Sequence, residues 1–476
     1  MKNLDDDDRI CCDCIGDVYL RQEILSGGKR RKCAVCNNTT RTYSLSELTD
    51  RVHDAFLAHY ERTTDQMTDW QYYKQFVDKE SDYSWDREGQ TFEKILNDEL
   101  SFDVTVAGNI IQRLQARHYD QDQAAMGEES EFDDEAKYEL KDIDDEKWAD
   151  IWRRFGEILK NRSRYFSPEA IDILDSIFKG IDLFQTWRGR TVIATIGPGK
   201  KIDSLYRARV FQSRKKLLEA LCRPDLEIGP PPAAYAMSGR MNARGIAVFY
   251  GTTEPQVAMA EVRPPVGSNV AIARFKIDRH LKVLDLRALS NIVMDVSIFD
   301  PLYTYQMGKA KFLRKLGARI TAPVMPDDEL FDYLPTQAVA DYLGAQTGII
   351  LDGIIYPSAQ VAGEEINIVL FHKAARVNEL VLPEAIEINA TDVNYDDDGP
   401  YLHYQVTELL TRRKKALTPL IEDNEPIDDR YPALTIDIES LCVHAVNSVN
   451  YNTQEYYVSR QRIKKPGKMK PIDFDF

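Results

Sequence analysis

Two patterns of apolar and polar positions divide the chain. Up to about residue 190, apolar residues recur every three or four positions, as they do in amphipathic helices. Ser44 and Glu47 have the spacing of a capping box, and Ser167 followed by Pro168 favours a second helix start. One helix in between has its apolar side chains on a single face: Trp148, Ile151, Trp152, Phe155, Ile158 and Leu159. We therefore predict a helical domain over residues 43–192.

From about residue 200, short apolar runs alternate with turns, a pattern typical of strands. The runs are 246–250, 270–277, 281–286, 349–356 and 366–371. Helical spacing reappears between them, so we predict an α+β protein with a mixed α/β domain over residues 200–375. Residues 376–476 are more polar and form a C-terminal extension whose role the sequence does not indicate. Its β-like stretches, such as 439–449, are expected to form an appendage.

Composition narrows the class of protein. Hydrophobic residues make up 43% of the 476 residues, enough for a large core. The net charge of −16 disfavours nucleic acids and anionic membranes as partners. No apolar run has the length of about 18 residues that a membrane span needs, and the acidic start at Asp5 to Asp8 is unlike a signal peptide. We expect a soluble cytoplasmic protein.

Five of the seven cysteines lie in the first forty residues. Two Cys-x2-Cys pairs, Cys11 with Cys14 and Cys33 with Cys36, have the spacing of a structural zinc ribbon. In a segment too short to build its own core, metal binding would supply folding energy. Residues 1–42 are therefore predicted to form a zinc-ribbon-like segment. Cys12 remains an alternative to Cys11 as a ligand.

The segment after residue 237 combines a turn with candidate chemistry. Glycines bracket Arg240, and the short apolar strand that follows ends at Tyr250. The next predicted helix places Glu261 beside its apolar face, where a carboxylate must find a partner or line a cleft. A second apolar strand ends at Ser358 in the same way. Strands that carry polar groups at their ends commonly form clefts.

In this order the motifs resemble the RES domain, a family named after an Arg, a Glu and a Ser. The resemblance covers residues 200–372 and rests on Gly239-Arg240-Met241-Asn242, Gly245, Tyr250, Ala258-x-x-Glu261, Tyr333-x-Pro335-Thr336-Gln337, Asp352-Gly353-Ile354-x-Tyr356-x-Ser358, Asn367 and Phe371. The cysteine pairs and the helical region are similar to the N-terminal extension of some RES proteins, described as HEPN-like.

The resemblance implies an ADP-ribosyltransferase-like fold and a toxin that consumes NAD by hydrolysis or phosphorolysis. Such toxins often have a protein antitoxin, so an antitoxin or immunity partner is expected here. Arg240, Tyr250, Glu261 and Ser358 fall on the functional positions of the family, and Arg207 is a further cleft candidate. The oligomeric state is not indicated.

The chemistry suits these residue types. Cleavage between ribose and nicotinamide builds positive charge on the sugar, which the Glu261 carboxylate would stabilise. Arg240 can bind a pyrophosphate through two N–H groups, and Tyr250 can stack on the nicotinamide. Ser358 would donate to a phosphate or position the nucleophile. Each residue taken alone has an ordinary structural explanation, and the ordered set carries the hypothesis.

Two other functions stay open at this stage. A mono-ADP-ribosyltransferase would pass the same sugar to a protein or nucleic acid, and a non-catalytic zinc-ribbon interaction protein would carry a degenerate cleft. Arg113-x4-His118 also fits the loose pattern of HEPN ribonucleases. We favour a structural or partner-binding helical domain, because the acidic residues that follow would repel RNA.

Overall fold

The computed structural model describes residues 3–78, 80–126, 129–345, 350–361, 363, 365–383, 386–396, 399–410, 428, 430–450 and 452–461. Elements of the N-terminal part are, in chain order, β1 (Arg9–Cys11), α1 (Val18–Gly27), β2 (Lys29–Lys32), β3 (Thr39–Ser44), α2 (Leu45–His59), β4 (Tyr60–Arg62), α3 (Asp69–Tyr72), β5 (Gln90–Thr91), α4 (Phe92–Lys94), α5 (Val104–His118), α6 (Gln121–Met126), β6 (Lys137–Leu140), α7 (Glu146–Asn161) and α8 (Pro168–Phe178).

The remaining elements form the larger part of the protein. They are β7 (Gln185–Thr186), β8 (Ile193–Ile196), β9 (Ser204–Phe211), α9 (Arg214–Cys222), α10 (Pro224–Glu227), β10 (Phe249–Thr252), α11 (Pro255–Glu261), β11 (Asn269–Ile277), β12 (Leu281–Asp285), α12 (Leu286–Leu289), β13 (Ile292–Val293), α13 (Tyr303–Thr321), α14 (Glu329–Asp332), α15 (Leu334–Ala345), β14 (Gly353–Pro357), β15 (Ile366–Leu370), β16 (Ile386–Asp396), β17 (Gly399–Leu410) and β18 (Leu434–Ala445). The protein is therefore mixed α/β.

Local sequence signals account for several of these boundaries. Helix α2 begins at the predicted capping box, because Ser44 Oγ accepts from the Glu47 N–H at 3.2 Å and Glu47 Oε2 accepts from the Ser44 N–H at 2.7 Å. Helix α8 begins with Ser167 as the N-cap and Pro168 in its first turn. The predicted run 246–250 becomes a strand only from residue 249, and residue 349 of the run 349–356 lies outside the described residues.

The largest sheet among the described residues has eight strands in the order β18-β11-β9-β10-β15-β14-β12-β8. Strands β12 and β14 are parallel, and the other neighbours are antiparallel. The two faces follow the two-residue period of a strand. Ile354 and Tyr356 of β14 pack with α7, α8, α13 and α15 on one face, while Ile355 packs with α9 on the other.

Strand β18 belongs to this sheet as an edge strand. It pairs with β11 from Asn269↔Ala445 to Ile277↔Leu434, and the side chains of Leu434 and Ile436 are buried in the core beneath the sheet. The expected appendage at 439–449 therefore begins inside the main sheet, whereas β16 and β17 form a separate two-stranded hairpin.

Side chains from residues 43–192 divide between two cores. Helices α2 and α5 share a core with the cysteine-rich segment and with Phe299, which precedes α13. Helices α7 and α8 pack against α13, α15 and the main sheet. The domain boundaries at 43 and 192 stay a prediction, but α7 and α8 pack on the same core as the residues of the site described below.

The residues of the possible nuclease motif make structural contacts. Arg113 Nε donates to Asp6 Oδ1 at 2.8 Å, and Arg113 Nη2 donates to the Leu4 carbonyl at 2.7 Å. The Nε2 atom of His118 lies 3.0 Å from that of His53. These contacts tie α5 to the N-terminal segment and to α2, which favours a structural role. Among the described helices, none combines the length and apolar character that crossing a bilayer requires.

Lys309 on α13 is a half-buried cation between helices. Its Nζ donates to the Ser176 carbonyl at 2.6 Å and lies 5.6 Å from the ring centroid of Trp148. Burial lowers the pKa of Lys309 to about 8. The unfolded chain therefore binds more protons than the folded one between pH 8 and the ordinary lysine pKa of about 10.5, so this group makes the free energy of unfolding rise with pH in that window.

We expect the Lys309→Met variant to lose that rise. Denaturant unfolding at pH 7.5, 9 and 10.5 should show the native protein gaining on the order of 2 kcal/mol relative to the variant as the pH increases. Lys309→Arg, which stays charged over this range, should also lack the rise. Parallel pH dependence in the native protein and in Lys309→Met would contradict the assignment.

Candidate active site

A cavity of about 450 Å³ opens above the middle of the main sheet. Its lining includes Arg207 of β9, Arg240 of the turn before β10, Tyr250 of β10 and Glu261 at the end of α11. Ser358 directly follows β14 and contacts Glu261. The structure thus brings the five residues singled out in the sequence to one place.

Two neutral donors hold the carboxylate of Glu261. Its Oε1 accepts from Ser358 Oγ at 2.7 Å and from Asn367 Nδ2 at 2.7 Å. Among the described residues no cation lies within ion-pair distance of it, and its Oε2 has no hydrogen-bond partner. A carboxylate fixed through one oxygen keeps the lone pairs of the other oxygen available to a ligand.

Asn367 is placed by the sheet itself. It pairs with Tyr356 of β14 and with Thr252 of β10, so its side chain reaches Glu261 from the sheet's middle strands. Its Oδ1 is buried and has no partner among the described residues. An unpaired buried acceptor is costly unless a ligand or water donates to it.

Tyr250 locks the turn that carries Arg240. Its Oη donates to Asn242 Oδ1 at 2.9 Å and accepts from the Met241 N–H at 3.0 Å. The Asn242 amide in turn donates to the carbonyls of Met237 and Ile246, each at 2.9 Å. Burial raises the pKa of Tyr250 above its usual range. The phenol is therefore neutral and fully engaged, and its ring is the part that faces the cavity.

Arg240 is held along one edge of its guanidinium. Nη1 donates to the carbonyls of Ile320 and Ala322 at 2.8 and 2.9 Å, and the guanidinium carbon lies 5.0 Å from the ring centroid of Tyr333. In the described part of the chain it has no ion-pair partner. Nε and Nη2 have no partner among these described residues, so the side of the guanidinium that binds anions through two parallel hydrogen bonds is free.

Arg207 adds a second, more constrained cation. Its Nε donates to the Ile228 carbonyl at 2.8 Å and its Nη1 to the Tyr250 carbonyl at 3.0 Å. No carboxylate pairs with it within the described ranges. Burial lowers its pKa to about 10, so it remains charged at neutral pH. A half-buried cation without a carboxylate partner favours an anionic ligand.

Several motif residues shape the site instead of lining it. Thr336 Oγ1 donates to the Arg240 carbonyl at 2.5 Å, and Gln337 Nε2 donates to the Gly239 carbonyl at 2.8 Å. Asp352 Oδ2 accepts from the Lys282 N–H at 2.9 Å. A Cβ on Gly353 would lie 2.1 Å from the Val369 carbonyl oxygen, so only glycine fits there.

The sequence pattern assigns no role to Asn367, Tyr333 or Tyr356. Asn367 was recognised only as a motif residue, yet both Asn367 and Ser358 donate a hydrogen bond to Glu261. Tyr333 stacks on Arg240, and Tyr356 lines the cavity with its pKa raised by burial. Ser358 donates its hydroxyl hydrogen to Glu261, which leaves none for a phosphate. The only signal for these roles was their place in the ordered motifs.

Gly239 offers a test of this packing. A Cβ there would lie 2.6 Å from Asn242 Oδ1 and 2.8 Å from Tyr250 Oη. We expect Gly239→Ala to break their hydrogen bond and to lower the free energy of unfolding by about 1–3 kcal/mol, measured by denaturant unfolding. Gly156→Ala is the control. Gly156 lies within α7, where alanine favours helix, and the added Cβ would lie 3.7 Å from the Pro335 side chain, an ordinary contact distance. Equal stability of Gly239→Ala and the native protein would contradict the packing.

The cysteine pairs form a compact cluster in the N-terminal segment. Sγ atoms of Cys11, Cys14, Cys33 and Cys36 all lie within 4.8 Å of one another. Separations are 3.7 Å for Cys11–Cys14, 3.4 Å for Cys11–Cys36 and 3.8 Å for Cys14–Cys33. Tetrahedral zinc, with Zn–S bonds of about 2.3 Å, places its sulfurs roughly 3.8 Å apart. The set can hold a metal ion and fits structural zinc.

Cys12 lies outside this cluster, since its Sγ contacts Asp13 Oδ1 at 3.8 Å. Burial raises the pKa of Cys11 to about 11. Against the effect of burial, backbone N–H groups lower the pKa of Cys33 to about 7. Because the cluster contains the Sγ of Cys11 and not that of Cys12, Cys11 supplies its fourth sulfur.

Residues 205–396 match the family model described as RES domain. The chain therefore contains a RES domain, and Arg207, Arg240, Tyr250, Glu261 and Ser358 all fall within the match. No curated protein and no solved structure matches the chain.

Proposed function

We propose that the RES domain of this chain degrades NAD by cleaving the bond between nicotinamide and ribose. The observation that carries this proposal is the Glu261 carboxylate, which is held through one oxygen by neutral donors. Beside it lie a tyrosine ring and two arginines that form no ion pair with any described carboxylate. NAD has a matching group for each: a sugar that becomes positive for the carboxylate, a pyrophosphate for the arginines and a flat aromatic ring for the tyrosine.

Glu261 acts on the sugar. As the bond from C1′ of the ribose to the nicotinamide nitrogen breaks, its electron pair leaves with nicotinamide and positive charge grows on the sugar. Oε2 of Glu261 accepts a hydrogen bond from a ribose hydroxyl and stabilises that charge. Ser358 and Asn367 fix the orientation of the carboxylate. Because neither donor is charged, they leave the full negative charge of Glu261 facing the sugar.

Arg240 and Tyr250 bind opposite ends of the nicotinamide nucleotide, the half of NAD that reacts. The free Nε and Nη2 groups of Arg240 suit two pyrophosphate oxygens, and Arg207 adds positive charge on the same side. The Tyr250 ring stacks on nicotinamide, with its hydroxyl already engaged by Asn242. Binding of this kind favours a reactive geometry of the glycosidic bond.

Mass spectrometry of NAD incubated with the purified protein tests the proposal. Nicotinamide should appear in every case. Attack by water on C1′ gives ADP-ribose and releases one proton, attack by inorganic phosphate gives phosphorylated ADP-ribose, and a labelled macromolecule would identify a transferase. Running the reaction with and without phosphate separates the first two outcomes. Absence of nicotinamide release would overturn the proposal.

Consumption of NAD would make the protein a toxin, and a protein antitoxin would then restrain it. Expression of the chain in a bacterial host should deplete cellular NAD and arrest growth. A Glu261→Gln chain expressed to the same level should do neither. The family resemblance also favours an ADP-ribosyltransferase-like fold for residues 200–375, which stays a prediction.

Zinc is the metal that best suits the four cysteines. Four thiolates leave no open coordination position, so the ion would be structural and take no part in cleavage. It would link β1, the turn after it and the loop between β2 and β3. This segment joins the core that also contains α2 and α5.

A further inference from the structure

A second cavity of about 480 Å³ adjoins the proposed active site. The two cavities share three lining residues, Ser238, Glu329 and Tyr333. Arg240 stacks on Tyr333 at this boundary. A ligand that lies along Arg240 in the first cavity therefore has a direct continuation into the second.

The size of the first cavity calls for such a continuation. NAD consists of two nucleotides joined through their phosphates. Ligand cavities typically measure about 300–1,000 Å³, and the first cavity, at about 450 Å³, lies in the lower part of that range. With the nicotinamide half at Glu261 and the pyrophosphate at Arg240, the adenylate half must leave the first cavity on the side of Tyr333.

The lining of the second cavity has the chemistry of a nucleotide site. Arg164 and Arg244 both line it, and neither has an ion-pair or hydrogen-bond partner in the described part of the protein. Glu329 and Asp341 bring carboxylates to the same cavity. Guanidinium groups bind phosphate oxygens, and carboxylates accept hydrogen bonds from ribose hydroxyls or an exocyclic amine.

Apolar and aromatic side chains complete this lining. Tyr165 is 75% exposed, Met237 69% and Leu330 71%, although all three border the cavity. Large exposed side chains around a concave site commonly mark a surface that a ligand covers. A flat purine base would cover them.

Part of this cavity comes from outside the RES domain. Leu159 of α7, and Arg164 and Tyr165 from the loop after it, precede the family match that begins at residue 205. The helices α7 and α8 are packed on the main sheet, so this loop is held in place by the same core as the active site. A RES domain without the extension would lack this wall.

We propose that the second cavity binds the adenylate half of the dinucleotide, with Arg164 and Tyr165 of the N-terminal extension and Arg244 of the RES domain as its contacts. This inference rests on the proposed function for the identity of the whole ligand. It gives the extension a direct role in substrate binding.

Calorimetric binding of AMP to the full-length protein is the test. We expect the native protein to bind AMP and the double variant Arg164→Ala/Arg244→Ala to bind it at least about tenfold more weakly, because two charge-assisted contacts are lost. Arg162→Ala is the matched control: it removes the same charge two residues away, from a side chain that pairs with Glu169 at 3.6 Å and does not line the cavity.

Kinetics provide a second readout. The double variant should raise KM for NAD about tenfold with little change in kcat, and it should affect NAD far more than nicotinamide mononucleotide, which has no adenylate half. AMP binding that is absent in the native protein, or equal in the double variant, would overturn the inference even if nicotinamide is released. AMP binding that depends on both arginines in a protein that leaves NAD intact would support the nucleotide site and overturn the proposed function.

Discussion

Glu261→Gln is expected to lower the rate of nicotinamide release by about 100- to 1,000-fold. Glutamine has the same shape and can still accept from Ser358 and Asn367 through its amide oxygen, so the protein should fold normally. It cannot offer a negative charge to the sugar in the transition state. The measurement is kcat for nicotinamide release, with stability followed by thermal unfolding.

Glu254→Gln is the matched control for this prediction. Glu254 is exposed, precedes α11 as its N-cap residue and does not line the cavity, so its variant should keep the native rate. Ser358→Ala should lose less than Glu261→Gln, because Asn367 still donates to Glu261 at 2.7 Å. Native turnover by Glu261→Gln would remove this carboxylate from the mechanism.

Cys33→Ser is expected to lose the metal and to unfold the first part of the chain. Cys33 is fully buried, its Sγ accepts from the Cys11 N–H at 3.4 Å, and it belongs to the four-sulfur cluster. Structural zinc sites bind with about 10–16 kcal/mol in small domains, which equals or exceeds the roughly 5–15 kcal/mol by which a typical domain is stable. Elemental analysis should find about one zinc per native chain and almost none in the variant.

Cys12→Ser distinguishes the metal effect from ordinary packing. Cys12 is buried beside Cys11 but contacts Asp13, so its loss should cost about 1 kcal/mol and leave the zinc content unchanged. Protease digestion should then cleave residues 3–44 rapidly in Cys33→Ser and slowly in Cys12→Ser. A Cys33→Ser protein with native zinc content and native protease resistance would contradict a structural metal site.

Helices were predictable because their signals are local. Ser44 and Glu47 satisfy each other's backbone at the start of α2, and the apolar face of α7 needs only its own sequence to be recognised. An apolar face does not say which surface will cover it. For this reason the sequence did not show that α2 packs with the cysteine cluster while α7 packs with α13 and the sheet.

The sequence predicts which residues form the site better than it predicts which atoms those residues contact. Arg240, Tyr250 and Glu261 follow from ordered motifs, but Arg240 is fixed by the carbonyls of Ile320 and Ala322, some 80 residues later in the chain. Backbone acceptors leave no trace in the side-chain sequence. The strand at 246–250 illustrates the same limit, because Ala247 and Val248 are buried without belonging to a strand.

The position of β18 has a consequence for synthesis of the protein. Arg274 of β11 pairs with Asp437 of β18, and 163 positions separate them, so the ribosome must add all of those residues before this edge is covered. A nascent or prematurely terminated chain that stops before residue 434 presents β11 with open backbone groups. Such an edge pairs readily with other chains, and truncated products are therefore expected to aggregate instead of accumulating as active fragments.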